Sequence, residues 1–247
     1  MGRTRPMVVA CSREDHPEES ECLFLVKALG CSPDVYEQGL FSEIFGNCLA
    51  AFFGIHTAPP ALILFDDVFI RAHAPLLAKA QISLKPGIGA GAQYLTPIQP
   101  FFPERPLQSE KHIAQAASLF AYDMLVQNPD RRPDKPNCGW YNGNLLAFDF
   151  EMAFSFLHVL GSFSDPWNVD DKLAQAHVLR PTLRFKVRLF GPFRECLEGL
   201  SDGVMEDCVR SMPGAWQDNA SRIIDRIRQV RIHATRFENA LNLEVQR

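Results

Sequence analysis

Apolar and polar positions follow two different patterns along this chain. The segments MVVAC and CLFLVKAL are short β-type apolar runs, and the polar stretch SREDHPEESE between them predicts a hairpin turn. From Val35 to Phe53, apolar side chains recur instead at steps of three and four residues. This spacing predicts a helix with one buried face, which Pro59 and Pro60 would end.

The segments that follow this helix predict mainly β-structure up to about residue 100. ALILFDDVFI indicates two strand pieces around a turn at Asp66 and Asp67. KAQISLKPGIGAGAQYL indicates a strand followed by a glycine-rich connection. The GIGAG run lacks the spacing of a dinucleotide-binding loop, so we assign it no phosphate-binding role.

Helical spacing predominates in the second half of the chain. It extends over residues 110–127, continues in DDKLAQAHVLR, where Asp170 and Asp171 would cap a helix, and returns in a long segment from Ala215. The chain therefore predicts an α+β fold with two lobes.

The expected fold has a small β-rich lobe with one helix, residues 1–100, and a larger helical lobe, residues 101–247. The boundary falls near the proline-rich segment TPIQPFFPERP.

Composition narrows the class of protein. With 47% apolar and 22% charged residues, 247 residues are enough to bury a full core. The net charge of −4 provides no overall attraction to nucleic acid or anionic membranes. Seven scattered cysteines without a CxxC pair predict neither a zinc site nor a disulfide framework. No apolar run approaches the roughly 20 residues of a membrane span. We expect a cytoplasmic protein without membrane or nucleic-acid partners.

The polar loop NPDRRPDKPN, residues 128–137, lies between a predicted helix and a predicted hairpin. Asn142-Gly143 is a strong hairpin turn signal. A three-residue loop would place Asn137 opposite Asp149, whereas a two-residue loop would pair Asn137 with Phe148. In either register, Asn137 and Asp149 are neighbours.

An amide oxygen beside a carboxylate suits magnesium, which takes oxygen ligands and shares them with substrate phosphates. Asp130, seven residues before Asn137, is then free to orient and deprotonate a substrate hydroxyl. Phosphoryl transfer also requires a cation on the nucleotide phosphates, usually a strand lysine held by a helix glutamate. Lys27 and Glu43 match these two roles, and we favour Glu43 over Glu37 because its neighbours on the helix are apolar.

Over roughly its first 165 residues, the chain resembles the HipA-like kinase family. Four segments carry the resemblance, and in chain order they are ECLFLVKALG, SEIFGNCLAAFFGI, NPDRRPDKPN and LLAFDFEMAF. This family shares a distant fold with protein kinases and phosphatidylinositol kinases. The resemblance implies ATP and magnesium as cofactors, and transfer of the terminal phosphoryl group to a hydroxyl. The acceptor would be a protein Ser or Thr or a small molecule, and the resemblance also implies an antitoxin-like protein as a partner.

Carried over residue by residue, the resemblance assigns roles to six side chains around the nucleotide. They are Lys27 on the ATP phosphates, Glu43 orienting that lysine, Asp130 as catalytic base with Arg131 in the family's Asp-Arg pair, and Asn137 and Asp149 as magnesium ligands.

The chain departs from the kinase pattern at three places, and the first and the third of these departures favour a second interpretation. Lys135 occupies the position five residues after Asp130, where kinases have the metal-binding Asn. Glu151 replaces the glycine of Asp-Phe-Gly, and MGRTRP, which resembles the phosphate-covering loop, offers only Gly2. The alternative is a pseudokinase that binds a nucleotide or a partner. The loop itself could also be an Asx-capped surface turn.

Overall fold

The computed structural model describes residues 4–12, 20–107, 109–158, 165–186 and 188–247, and Gly2 lies outside this part of the chain. The fold is α+β, and these described ranges contain two four-stranded sheets, with helices on both sides of residue 100. The strands are β1 (Met7–Cys11), β2 (Cys22–Lys27), β3 (His56–Thr57), β4 (Pro60–Phe65), β5 (Gly87–Gln93), β6 (Gln99–Pro100), β7 (Cys138–Tyr141) and β8 (Asn144–Ala147). The helices are α1 (Glu37–Phe52), α2 (Asp67–Ala72), α3 (Ala74–Lys79), α4 (Glu110–Val126), α5 (Asp171–Ala176), α6 (Arg180–Leu183), α7 (Gly191–Gly199), α8 (Asp202–Arg210), α9 (Ala220–Ile232) and α10 (Ala234–Gln246).

The first sheet has the strand order β1-β2-β5-β4, and all its pairs are antiparallel. The predicted β1–β2 hairpin is confirmed, with Cys11 opposite Cys22. The prediction of a glycine-rich connection was wrong, because these residues form the inner strand β5. A Cβ atom on Gly89 would lie 2.8 Å from the Lys27 carbonyl oxygen, and one on Gly91 would lie 2.8 Å from Ile63 Cγ1. The glycines therefore allow three strands to pack closely.

The prediction of one helix before residue 100 was also wrong, because α2 and α3 follow β4. The second half of ALILFDDVFI is helix α2 rather than a strand. Asp66 caps it, since its Oδ1 accepts a hydrogen bond from the Phe69 amide at 2.7 Å. The predicted strand in KAQISL is absent, and the segment between α3 and β5 contains no strand. Short apolar runs fit a strand and a helix equally well, so the cap was the better signal.

The second sheet has the order β3-β8-β7-β6 and takes strands from both sides of residue 100. Its β7–β8 hairpin turns through two residues, with Tyr141 opposite Asn144. The Phe148 amide accordingly donates to the Asn137 carbonyl at 3.1 Å. Of the two registers considered, the two-residue loop is the one that forms.

The principal helices follow the apolar periodicity. The predictions for α1 and α4 are confirmed, and Asp170 caps α5 through a hydrogen bond of 3.0 Å from the Leu173 amide. The final helical segment divides at His233 into α9 and α10. Within the part of the chain that the structure describes, every helix is too short or too polar to cross a bilayer.

Candidate active site

Lys27 ends β2 and lies opposite Ala90 of β5. Its side chain is mostly buried, and its Nζ atom contacts three carboxylates. The distances are 2.8 Å to Glu43 Oε2, 2.6 Å to Asp149 Oδ1 and 2.8 Å to Glu151 Oε2. The structure thus brings Lys27 and Glu43 together as the sequence predicted, whereas Glu37 is exposed in the first turn of α1.

Lys27 and its acidic neighbours affect one another's pKa values. Burial by itself would lower the pKa of Lys27, but attraction by Glu43, Asp149 and Glu151 outweighs it and raises the pKa above the ordinary value. Burial would raise the pKa of Asp149, yet the Lys27 ammonium holds that pKa below its usual range. Lys27 is therefore an ammonium and Asp149 a carboxylate near neutral pH.

Close packing of α1 brings Glu43 to this cluster. A Cβ atom on Gly46, one turn after Glu43, would lie only 2.9 Å from Phe150 Cβ. The Tyr122 hydroxyl of α4 donates to the Gly46 carbonyl at 2.5 Å and fixes the helix from the other side. The absence of a side chain at Gly46 therefore lets α1 lie against the segment that carries Asp149.

The loop after α4 holds Asp130 by two side-chain amides. Asn128 Oδ1 accepts from the Asp130 amide at 3.1 Å, so the Asx turn considered for this loop does form. Asn137 Nδ2 donates to the Asp130 carbonyl at 3.0 Å and to Asp130 Oδ2 at 3.1 Å. Asn137 thus orients the carboxylate of Asp130, and its binding of magnesium stays a prediction.

Arg131 points into the core rather than into the cleft. Its side chain is fully buried, with Nε 2.5 Å from Asp123 Oδ2. Its Nη1 donates to the carbonyl oxygens of Asn137 and Phe148. Arg131 thus joins the end of α4 to the β7–β8 hairpin, and the catalytic role implied by the resemblance stays a prediction.

Asp123 and His177, neither of which the sequence patterns singled out, complete this buried network. His177 Nε2 lies 2.9 Å from Asp123 Oδ2, and its Nδ1 accepts from the Leu179 amide at 3.1 Å. The neutral ring therefore carries its proton on Nε2 and donates it to Asp123. A single acid within the apolar run of α4 was the signal that could have identified Asp123.

Lys135 reaches the centre of the site from a tight turn. The amide and carbonyl of Arg132 pair with those of Lys135 at 3.0 and 3.1 Å, which closes the turn around Pro133 and Asp134. Lys135 Nζ then lies 2.5 Å from Asp130 Oδ2 and 3.1 Å from Asp149 Oδ2. The predicted base and the predicted metal ligand thus lie within reach of one ammonium group.

A cavity of about 370 Å³ opens beside Lys27, between the two sheets. Its volume lies in the range of small-molecule sites. Small side chains of β5, Ala90 and Ala92, form part of its wall, and the charged lining groups contact one another. The apolar part of the lining includes Leu25, Ala58, Ala90, Ala92, Leu95, Ile98, Leu146 and Phe148, and the charged part consists of Lys27, Glu43, Lys135 and Asp149.

The donor atoms of the site fit a hard divalent cation. Carboxylate oxygens of Glu43, Asp149 and Glu151 lie within 4.8 Å of one another. Oxygen ligands of this kind suit magnesium, which completes its shell with water and phosphate oxygens. Asp149 and Glu151, which are partly accessible, are the residues that would hold it.

No protein-family profile and no curated protein matches the chain. Among solved structures, the chain is similar to the proinflammatory kinase CtkA of Helicobacter pylori, with a TM-score of 0.47 and 13% sequence identity. The match covers 94% of this chain and 95% of that chain. The word kinase in this name refers to the activity of the Helicobacter protein.

Proposed function

We propose that the chain is a phosphotransferase that uses ATP and magnesium and has a bilobal, HipA-like kinase fold. The observation that supports this most strongly is the contact of the Lys27 ammonium with both Glu43 and Asp149 among the charged groups that line the cavity. These three side chains come from β2, α1 and the segment after β8. A lysine, a helix glutamate and a metal-binding aspartate in contact are the parts with which kinases hold a nucleotide.

Each side chain has a distinct task in this proposal. The apolar part of the cavity takes the base, and Lys27 contacts the phosphates. Magnesium, when bound by Asp149, offsets the charge of the phosphate oxygens. Asp130 accepts the proton of the acceptor hydroxyl, and Asn137 holds the carboxylate of Asp130 in place. Catalysis would thus depend mainly on positioning and charge neutralisation.

By analogy with the resembled family, the hydroxyl belongs to a protein Ser or Thr. A small-molecule acceptor and an antitoxin-like protein partner are the other expectations from the same resemblance, and a screen for substrates and binding proteins tests both.

A nucleotide-binding pseudokinase is the second candidate, and the position of Lys135 favours it. Its ammonium contacts Asp130 Oδ2 at 2.5 Å. The Lys135 ammonium thus occupies the carboxylate oxygen of Asp130 that would otherwise face a substrate hydroxyl.

Substitution of Asp130 separates the two candidates. With magnesium and ATP, the native protein is expected to hydrolyse ATP or phosphorylate itself, and Asp130→Asn should lower this rate at least ~100-fold. Asp134→Asn, on the exposed side of the same loop, is the matched control and should retain activity. If native protein shows no turnover but ATP raises its melting temperature, the pseudokinase proposal holds instead.

A further inference from the structure

Lys135 bridges two acids that a kinase would use for different tasks. Its Nζ contacts Oδ2 of Asp130 and Oδ2 of Asp149, while the other oxygen of Asp149 contacts Lys27. The Lys135 amino group therefore lies between the two acids and contacts both of them.

In protein kinases, two magnesium ions are held by the metal aspartate and by the Asn of the catalytic loop. The corresponding loop position in this chain carries Lys135, whose side chain has no oxygen. Asn137, the expected magnesium ligand two residues later, donates its amide to Asp130. The loop thus supplies a compact positive charge where a metal ligand is expected, and that charge already contacts the metal aspartate.

The two ammonium groups of the site together contact four carboxylates. We define these six side chains as the cleft cluster, and its members are Lys27, Glu43, Asp130, Lys135, Asp149 and Glu151. Within the cleft cluster, Lys135 contacts one oxygen of Asp130 and one oxygen of Asp149, and a second divalent ion would need these oxygens as ligands.

We propose that Lys135 is a built-in cation that replaces one of the two divalent ions, so that the site takes up one divalent ion with each nucleotide. This inference rests on the proposed nucleotide-binding function and specifies how its metal requirement differs from that of kinases with two ions.

The test is the ratio of metal to nucleotide on the protein. Native protein is dialysed to equilibrium against saturating Mn²⁺ and a non-hydrolysable ATP analogue, and bound manganese and bound nucleotide are both quantified. The expected ratio is one Mn²⁺ per nucleotide. A ratio of two on the native protein would overturn the inference.

The variant Lys135→Asn restores an oxygen ligand and removes the ammonium. It is expected to bind two Mn²⁺ per nucleotide, and a ratio that stays at one would contradict the proposal. Without nucleotide, it should bind Mn²⁺ about tenfold more tightly than the native protein, because Asp130 loses its ammonium partner and Asp149 keeps only Lys27. Arg132→Gln, which removes an exposed charge of the same turn, is the matched control and should leave the ratio unchanged.

The outcomes separate the two proposals. A native protein that binds the analogue with two Mn²⁺ retains the proposed function and excludes the role of Lys135. A native protein that binds no analogue, as judged by dialysis and thermal unfolding, overturns both. Because the native ratio is decisive by itself, the inference stays testable even if Lys135→Asn does not fold.

Discussion

The Lys27 Nζ atom lies 2.6 Å from Asp149 Oδ1, although 122 residues separate them in the chain. The contact joins β2 of the first sheet to the segment that follows β8 of the second. The ammonium of Lys27 therefore contributes both to the stability of the fold and to the charge of the candidate nucleotide site.

Replacement of Lys27 by Met tests both contributions. The variant leaves Glu43, Asp149 and Glu151 without their shared cation, and loss of one partner from a buried ion pair costs about 3 to 5 kcal/mol. We expect a lower free energy of unfolding in urea and no rise in melting temperature on addition of ATP. Lys85→Met, at an exposed position, is the control and should change neither quantity. Unchanged protection of Lys27→Met by ATP would contradict the assigned role of Lys27.

Replacement of Gly46 by Ala tests the packing of α1. The added methyl group would lie 2.9 Å from Phe150 Cβ, so either the helix or the segment of Asp149 must shift. Overpacking of this kind costs about 1 to 3 kcal/mol. We expect a lower unfolding free energy together with weaker protection by ATP.

Gly39→Ala is the control in the same helix. Its added methyl would lie 3.5 Å from the Tyr36 ring, which is an ordinary contact distance. This variant should be as stable as the native protein or more stable, because alanine favours helices over glycine. Equal losses of unfolding free energy in Gly46→Ala and Gly39→Ala would contradict a particular role for the close approach of Gly46 to Phe150.

The buried His177 predicts a dependence of stability on pH. Burial lowers the pKa of this imidazole more than the attraction of Asp123 raises it, and the charge of Arg131 lowers it further. The unfolded chain, with a histidine pKa of about 6.5, therefore binds a proton before the folded chain does. The free energy of unfolding should fall as the pH decreases below about 6.5, by at most about 1.4 kcal/mol per pH unit.

The measurement is urea unfolding between pH 7.5 and 5, compared with two variants. His177→Gln should be less stable at pH 7.5 and should lose stability less steeply with acid. His56→Gln, at an exposed position, should keep the native slope. A native slope that persists in His177→Gln would assign the pH dependence to other groups.

The sequence predicted those helices and hairpins that are indicated by a pattern among neighbouring residues. The periodic apolar faces of α1 and α4 and the hairpins β1–β2 and β7–β8 all formed as expected. Strand β5 was missed, because its alternating glycine and alanine residues carry no hydrophobic period. Helix α2 was missed because a six-residue run is too short to distinguish a helix from a strand.

The order of motifs in the sequence determined which side chains to compare with a kinase centre, namely Lys27, Glu43, Asp130, Asn137 and Asp149. Only the tertiary structure decided that Lys135 lies between Asp130 and Asp149, that Glu151 joins Lys27, and that Arg131 faces the core. Local patterns report the conformation of neighbouring residues. Contacts among side chains from separate elements depend instead on how those elements pack, and a close approach such as that at Gly46 leaves no periodic trace in the sequence.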